Sequence, residues 1–197
     1  GTVPVGTYPS AVAVNPTTNR VYAANQGSSN VSVIDGVTNA VVGTVPVGTY
    51  PSAVAVNPTT SRIYVANELS SNVSVIDGTT DAVAAVVQLG RGPYAASASS
   101  ATNLVYTANL FSATVSVIDG ATNSVTATVP VGVGPYAVAV NSTTNRVYVA
   151  NPGPAAALSV IDGATNAVVA TVPVGSDIGA LAVNPTTNRI YLTHYGG

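Results

Sequence analysis

The chain has no cysteine, methionine, tryptophan or lysine in 197 residues. Without cysteine there is no disulfide framework, no thiol nucleophile and none of the usual zinc ligand sets. The missing methionines remove the commonest oxidation targets as well. Charge is scarce: 6% of residues are charged against 47% hydrophobic, and all five basic residues are arginines. A net charge of −2 without any basic run leaves no electrostatic footprint for nucleic acid or an anionic membrane. No apolar run reaches the roughly 18 residues of a spanning helix, so no membrane insertion is expected. The depletion of oxidisable residues suits long exposure outside the cell. The chain opens on Gly1 rather than Met, with no charged-then-apolar leader, and reads as a processed mature form or an excised segment.

What is there is repetition. Val21-Tyr22-Ala23-Ala24-Asn25 returns as Ile63-Tyr64-Val65-Ala66-Asn67, Val105-Tyr106-Thr107-Ala108-Asn109, Val147-Tyr148-Val149-Ala150-Asn151 and Ile190-Tyr191-Leu192-Thr193-His194. The tyrosines are spaced by 42, 42, 42 and 43 residues (64−22, 106−64, 148−106, 191−148). A fixed period of that size signals a propeller, solenoid or array. One regular period also argues for one domain, 1–197, with repeats beginning near 2, 44, 86, 128 and 171.

Within a unit, short runs rich in Val and Ala alternate with turn residues, and no 3.6-residue period occurs. In the second unit, 52–56 is a first strand closed by Asn57-Pro58-Thr59-Thr60, because Asn-Pro starts a turn. Residues 62–66 return as a second strand, 72–76 form a third, and 82–87 a fourth. The turn Asp77-Gly78-Thr79-Thr80-Asp81 is expected to use the positive φ open to glycine. Four antiparallel strands in about 42 residues match a propeller blade. First strands such as Ala11-Val12-Ala13-Val14 are apolar on both faces and must be covered on both sides, which makes them the inner strands. The fold class is therefore all-β: a β-propeller of four-stranded antiparallel blades.

Counting strands gives about five blades, the last lacking one strand. The chain starts in what reads as a fourth strand, Thr2-Val3-Pro4-Val5, and stops after a second strand containing Ile190, Leu192 and His194. Three outcomes follow: a ring closed with one short blade, a segment of a longer propeller, or a strand supplied by another subunit. The unfilled edge formed by Thr2, Val3, Val5, Ile190, Leu192 and His194 is a template for strand addition between copies of the chain.

The Tyr-Val-Ala-Asn core, the Val-Ile-Asp-Gly turn (Val33–Gly36, Val75–Gly78, Val117–Gly120, Val160–Gly163) and the Thr-Val-Pro-Val-Gly link resemble the YVTN family of β-propeller repeats. The resemblance implies a secreted or cell-surface protein, similar to the propeller domains of surface-layer proteins, in a family generally without an agreed catalytic site. That family is usually described with about seven blades, against fewer than five full units here.

Tyr22, Tyr64, Tyr106, Tyr148 and Tyr191 recur in every unit, as packing requires. The turn aspartates Asp35, Asp77, Asp119 and Asp162 offer one carboxylate each, too few for calcium, and are read as turn caps. Arg20, Arg62, Arg146 and Arg189 are expected to pair with these aspartates or lie over the tyrosine rings. Residues that break the repeat carry more functional information. Tyr8, Tyr50, Arg91, Tyr94, Tyr136 and Asp177 stand in the links between units, where propeller loops gather on one face and could stack on and hydrogen-bond a sugar or peptide.

His194 is the sole histidine, and neither a Gly-x-Ser-x-Gly elbow nor a phosphate loop is present, so no catalytic site, metal site or cofactor is expected. Asn30, Asn72 and Asn141 open N-x-[ST] sequons and are candidate glycan acceptors. The functional expectation is a non-enzymatic extracellular or cell-surface module, structural or adhesive, self-assembling into a filament or surface layer. The alternative is a glycan- or peptide-binding module using the Tyr/Arg loops. The expected partners are protein, including copies of itself, or a cell-surface glycan.

Overall fold

A computed structural model describes residues 1–195. Among them the first blade is β1 (Pro9–Asn15), β2 (Arg20–Asn25), β3 (Asn30–Asp35) and β4 (Val41–Pro46). The second is β5 (Pro51–Asn57), β6 (Arg62–Asn67), β7 (Asn72–Asp77) and β8 (Ala82–Gln88). The third is β9 (Pro93–Ser99), β10 (Leu104–Asn109), β11 (Thr114–Asp119) and β12 (Ser124–Pro130). The fourth is β13 (Ala137–Asn141), β14 (Arg146–Asn151), β15 (Ala157–Asp162) and β16 (Ala167–Pro173), and β17 (Ile178–Asn184) with β18 (Arg189–His194) complete the set. Each of the first four units is an antiparallel sheet in chain order, and the last is a two-stranded sheet. First strands stand beside one another in sequence, while fourth strands barely meet, so the blades fan from an axis lined by β1, β5, β9, β13 and β17.

Turn chemistry sets the strand ends. Asn57 Oδ1 accepts the Thr59 amide at 3.1 Å, an Asx turn repeated at Asn15, Asn141 and Asn184. The expectation for the Asp-Gly turn needs correction: the left-handed residue is Asp81 (φ 53°), matched by Asn39, Asn123 and Asn166, and not the glycine. Gly78 is there for space, because a Cβ would stand 2.8 Å from the Ser61 carbonyl oxygen.

Blades adhere through two dissimilar faces. Tyr22, Val31, Val33 and Val45 of the first blade meet Ile63, Val65 and Ile76 of the second. Tyr64, Ala66, Val73 and Val75 meet Val105 and Ile118 in the same way, and Tyr106, Ala108, Val115 and Val117 meet Val147, Val149 and Ile161. The repeated tyrosine is thus a packing residue, as expected, wherever a following blade covers it. Tyr191 has no such cover and is 53% exposed, as is Val12 of the first blade at 66%. Together these leave the two flanks of the five-blade fan open.

The buried asparagine that closes each Tyr-Val-Ala-Asn segment stitches second to third strand. Asn67 donates to Asn72 Oδ1 (2.8 Å) and Ser74 Oγ (2.9 Å), and Asn25 and Asn109 make the equivalent pairs. Arg20–Asp35, Arg62–Asp77 and Arg146–Asp162 pair across the same strands at 2.8, 2.9 and 2.5 Å. Being part-exposed, each pair is screened by solvent and adds little to stability.

Two terminal expectations are corrected. Thr2, Val3 and Val5 belong to no strand, and the last sheet holds two strands instead of three. The reason is the ladder: every fourth strand pairs with a third strand, and β17–β18 offers none.

Ile76 and Ile34 occupy the same register in adjacent blades, but only Ile76 is fully buried against a preceding blade. Urea unfolding should show Ile76→Ala losing roughly 2–5 kcal/mol, with Ile34→Ala losing clearly less.

Candidate binding face

Because strands alternate in direction, the links between units and the loops joining second to third strands lie at one end of the fan. Backbone bonds tie them together: Gln26 N–H donates to Tyr8 O (2.9 Å), Glu68 to Tyr50 (3.0 Å), Leu110 to Gly92 (2.7 Å) and Tyr195 to Asp177 (2.8 Å). The same position is left-handed in every unit, Tyr8 (φ 49°), Tyr50 (62°), Gly92 (68°), Gly134 (66°) and Asp177 (61°), although in the fourth unit the facing residue is Pro152, which has no N–H to donate. Glycine adopts this conformation freely, whereas a side chain there costs of order 1–2 kcal/mol. Units one and two accept that strain to hold a tyrosine at the loop end.

Aromatic and glycine positions exchange between the two loops. The Tyr8 ring lies where a Cβ on Gly27 would come within 2.6 Å, and Phe111 lies within 2.5 Å of the same point on Gly92. Each ring therefore needs a glycine beneath it in the facing loop. Tyr8, Leu69, Phe111 and Val133 are exposed at this end, where a soluble surface would ordinarily be polar, while the opposite turns contribute Val37.

Two residues beyond the left-handed position, Ser10 and Ser52 hydrogen-bond the next blade through Pro51 O (2.7 Å) and Pro93 O (3.0 Å). Units three and four place Tyr94 and Tyr136 there instead. Their hydroxyls bond to each other at 3.1 Å and their rings stack with centroids 4.6 Å apart, tilted by 33°. Burial raises the Tyr94 hydroxyl well above the usual phenol range, helped by the bond to Tyr136 and by the charge of Glu68. Glu68 is itself pushed up by burial.

The structure thus puts Tyr94 in contact with Tyr136 and sets Tyr8 and Tyr50 on one cleft. Arg91 and Asp177 lie at the same end, with no ion pair or side-chain hydrogen bond to those tyrosines among the described residues. Sequence reasoning missed Gln26, Glu68, Leu69 and Phe111. These also break the repeat, and applying the same criterion to the second-to-third loop would have found them. Ile190, Leu192 and His194 do lie on β18, whose outer edge is unpaired among the described residues. His194 replaces the stitching asparagine in the unit that holds two strands among the described residues, and its Nδ1 lies 2.8 Å from Ser176 O. Asn141 is corrected as a glycan acceptor: it is fully buried, donates to Asn188 Oδ1 at 2.8 Å and accepts from Thr143. Asn30 and Asn72 are half-buried acceptors of the asparagine stitches. No group of three or more His, Asp or Glu converges among the described residues.

Four-stranded blades repeated about a common axis define a β-propeller. A family model described as YNCE-like beta-propeller matches residues 2–185, and the chain belongs to that family. The YVTN-type resemblance is consistent with it. Among solved structures, hydrazine synthase from Kuenenia stuttgartiensis is similar, with a TM-score of 0.89 and 23% identity over 98% of this chain. This chain spans 57% of that one, and at such identity the likeness shows the fold alone. No curated protein sequence matches.

Asp35 is held below the usual carboxylate range by the Thr38 and Val37 amides, Asp77 by the Thr79 hydroxyl and amide, and Asp162 by the Ala164 and Thr165 amides. A lowered folded pKa favours the charged form, so this stability is present above the ordinary value of 3.8 and is lost as pH falls through the lowered values. Urea midpoints should hold from pH 7 to about 5 and drop below about 4, less steeply in Asp77→Asn. Glu68, shifted upward, contributes in the opposite sense.

Proposed function

We propose that this chain is a non-enzymatic structural and adhesive module that works outside the cell, its stacked blades serving as a rigid platform and its loop end as the contact surface. The observation that carries the reading is the segregation of variation. The opposite end repeats ion pairs and turn caps, while the loop end collects Tyr8, Tyr50, Glu68, Arg91, Tyr94, Tyr136 and Asp177, with exposed Leu69 and Phe111. Aromatic rings with few charges suit a cell-surface glycan or peptide. Absence of cysteine and methionine fits long service in an oxidising medium.

A second reading is self-association. The unpaired edge of β18, with Ile190, Leu192 and His194, is able to accept a further strand, and a copy of the chain is the proposed donor. Analytical ultracentrifugation at high concentration tests it: association weakened by Leu192→Pro supports the reading, and a monomer throughout removes it.

For the adhesive reading, washed cell envelopes from the source organism are incubated with purified protein and the bound fraction is measured. Saturable binding, reduced at least tenfold by Tyr94→Ala with Tyr136→Ala and Arg91→Ala, is the expected result, equivalent to about 1.4 kcal/mol or more. Absence of binding, or binding indifferent to all three substitutions, would overturn it.

A further inference from the structure

Between the first two blades, at the loop end, Tyr8, Gln26, Gly27, Ser29, Thr49 and Tyr50 line an open cleft of about 470 Å³. That volume falls within the roughly 300–1,000 Å³ of small-molecule sites. Both walls carry a tyrosine in the left-handed conformation that units three and four assign to Gly92 and Gly134. Strain retained at an exposed position, where it serves no core, is a signature of a functional surface. Tyr8 is 79% exposed, so its ring is not held there by burial. The cleft holds no titratable carboxylate, guanidinium or imidazole among its lining residues. Its polar groups are the phenols, the Gln26 amide and the hydroxyls of Ser29 and Thr49, and none of these side chains is engaged in a hydrogen bond among the described residues.

We propose that the Tyr8–Tyr50 cleft binds a neutral hexopyranose unit of a glycan, with the C–H face of the sugar against a tyrosine ring and its hydroxyls on Gln26, Ser29 and Thr49. Aromatic faces take the apolar face of a sugar ring, and uncharged amides and hydroxyls match its hydroxyls in donors and acceptors. A carboxylated or sulfated sugar would find no counter-charge in the cleft, which selects the neutral class. The inference rests on the adhesive reading and assigns its ligand chemistry to a second place on the same face, apart from the Tyr94–Tyr136 pair.

The test uses soluble cellotetraose, maltotetraose, mannotetraose and chitotetraose, with tetragalacturonate as the acidic control, followed by saturation-transfer NMR and titration. Variants Tyr8→Gly and Tyr50→Gly install the residue that other units already carry at this position, so they relieve strain and fold at least as stably as the parent, which thermal melts verify. At least one neutral oligosaccharide should bind the parent, at least tenfold more weakly either glycine variant, and unchanged the Val37→Ser protein, which is altered in an exposed turn at the opposite end. The acidic control should not bind. Failure of all four neutral sugars, preference for the acidic one, or binding that survives the Tyr8→Gly/Tyr50→Gly double variant would overturn the proposal. Envelope adhesion by a parent protein that binds none of the four neutral sugars sinks this cleft while leaving the adhesive reading standing. Sugar binding without envelope adhesion does the reverse.

Discussion

Contact between dissimilar blade faces is the interaction on which everything else in this molecule depends. One face presents the repeated tyrosine with valines from the second and third strands; the other presents Ile63, Val65 and Ile76 or their equivalents. Neither face is stable in water, and neither sheet is held by anything but its neighbour, since disulfides are impossible and the ion pairs are part-exposed. The apolar content of nearly half the chain is therefore the consequence of blades wet on neither side. Where a neighbour is lacking, at Val12 and Tyr191, the same residue types stand in solvent.

That constraint explains where the chain is free to vary. A residue inside a blade must fit two neighbours and keep a strand register that is nearly identical in successive units, as Tyr22↔Val33, Tyr64↔Val75 and Tyr106↔Val117 show. The turns beside the Arg–Asp pairs are capped by the same aspartate each time, which leaves little room for new chemistry. Only the loop end escapes both demands. Serine, which ties one blade to the next in the first two units, is replaced by Tyr94 and Tyr136 in the third and fourth, and the aromatic pair takes over the bridging role between blades.

The strand pattern was legible because packing repeats it: 62–66 and 72–76 in the second unit fall within Arg62–Asn67 and Asn72–Asp77. The terminal segment Thr2–Val5 looked like a fourth strand by composition, but a strand needs a partner, and the third strand it would pair with is the one the strand count already shows to be missing from the last unit, which holds two strands among the described residues. The glycine after each turn aspartate was read as a conformational residue when it is a spatial one. Its φ is ordinary, and the crowding comes from the neighbouring turn between first and second strands, which sequence spacing does not show. Among site residues, the links between units were found because they interrupt the repeat. Glu68 and Phe111 interrupt it as plainly, yet their meeting with the links depends on loop-to-loop hydrogen bonds that only the fold supplies. The strain at Tyr8 and Tyr50 was likewise invisible, since the equivalence of those positions to Gly92 and Gly134 acquires meaning only with the dihedral angles.

Inter-blade burial makes a direct claim about local stability. Native-state hydrogen exchange resolved by residue measures it, because protection reports the free energy of opening each element. The account predicts the slowest exchange in β6, β7, β10 and β11, which are covered on both faces, and the fastest in β16 and β18. Equal protection across all five units, or slow exchange in β18 equal to that of β6, would contradict it.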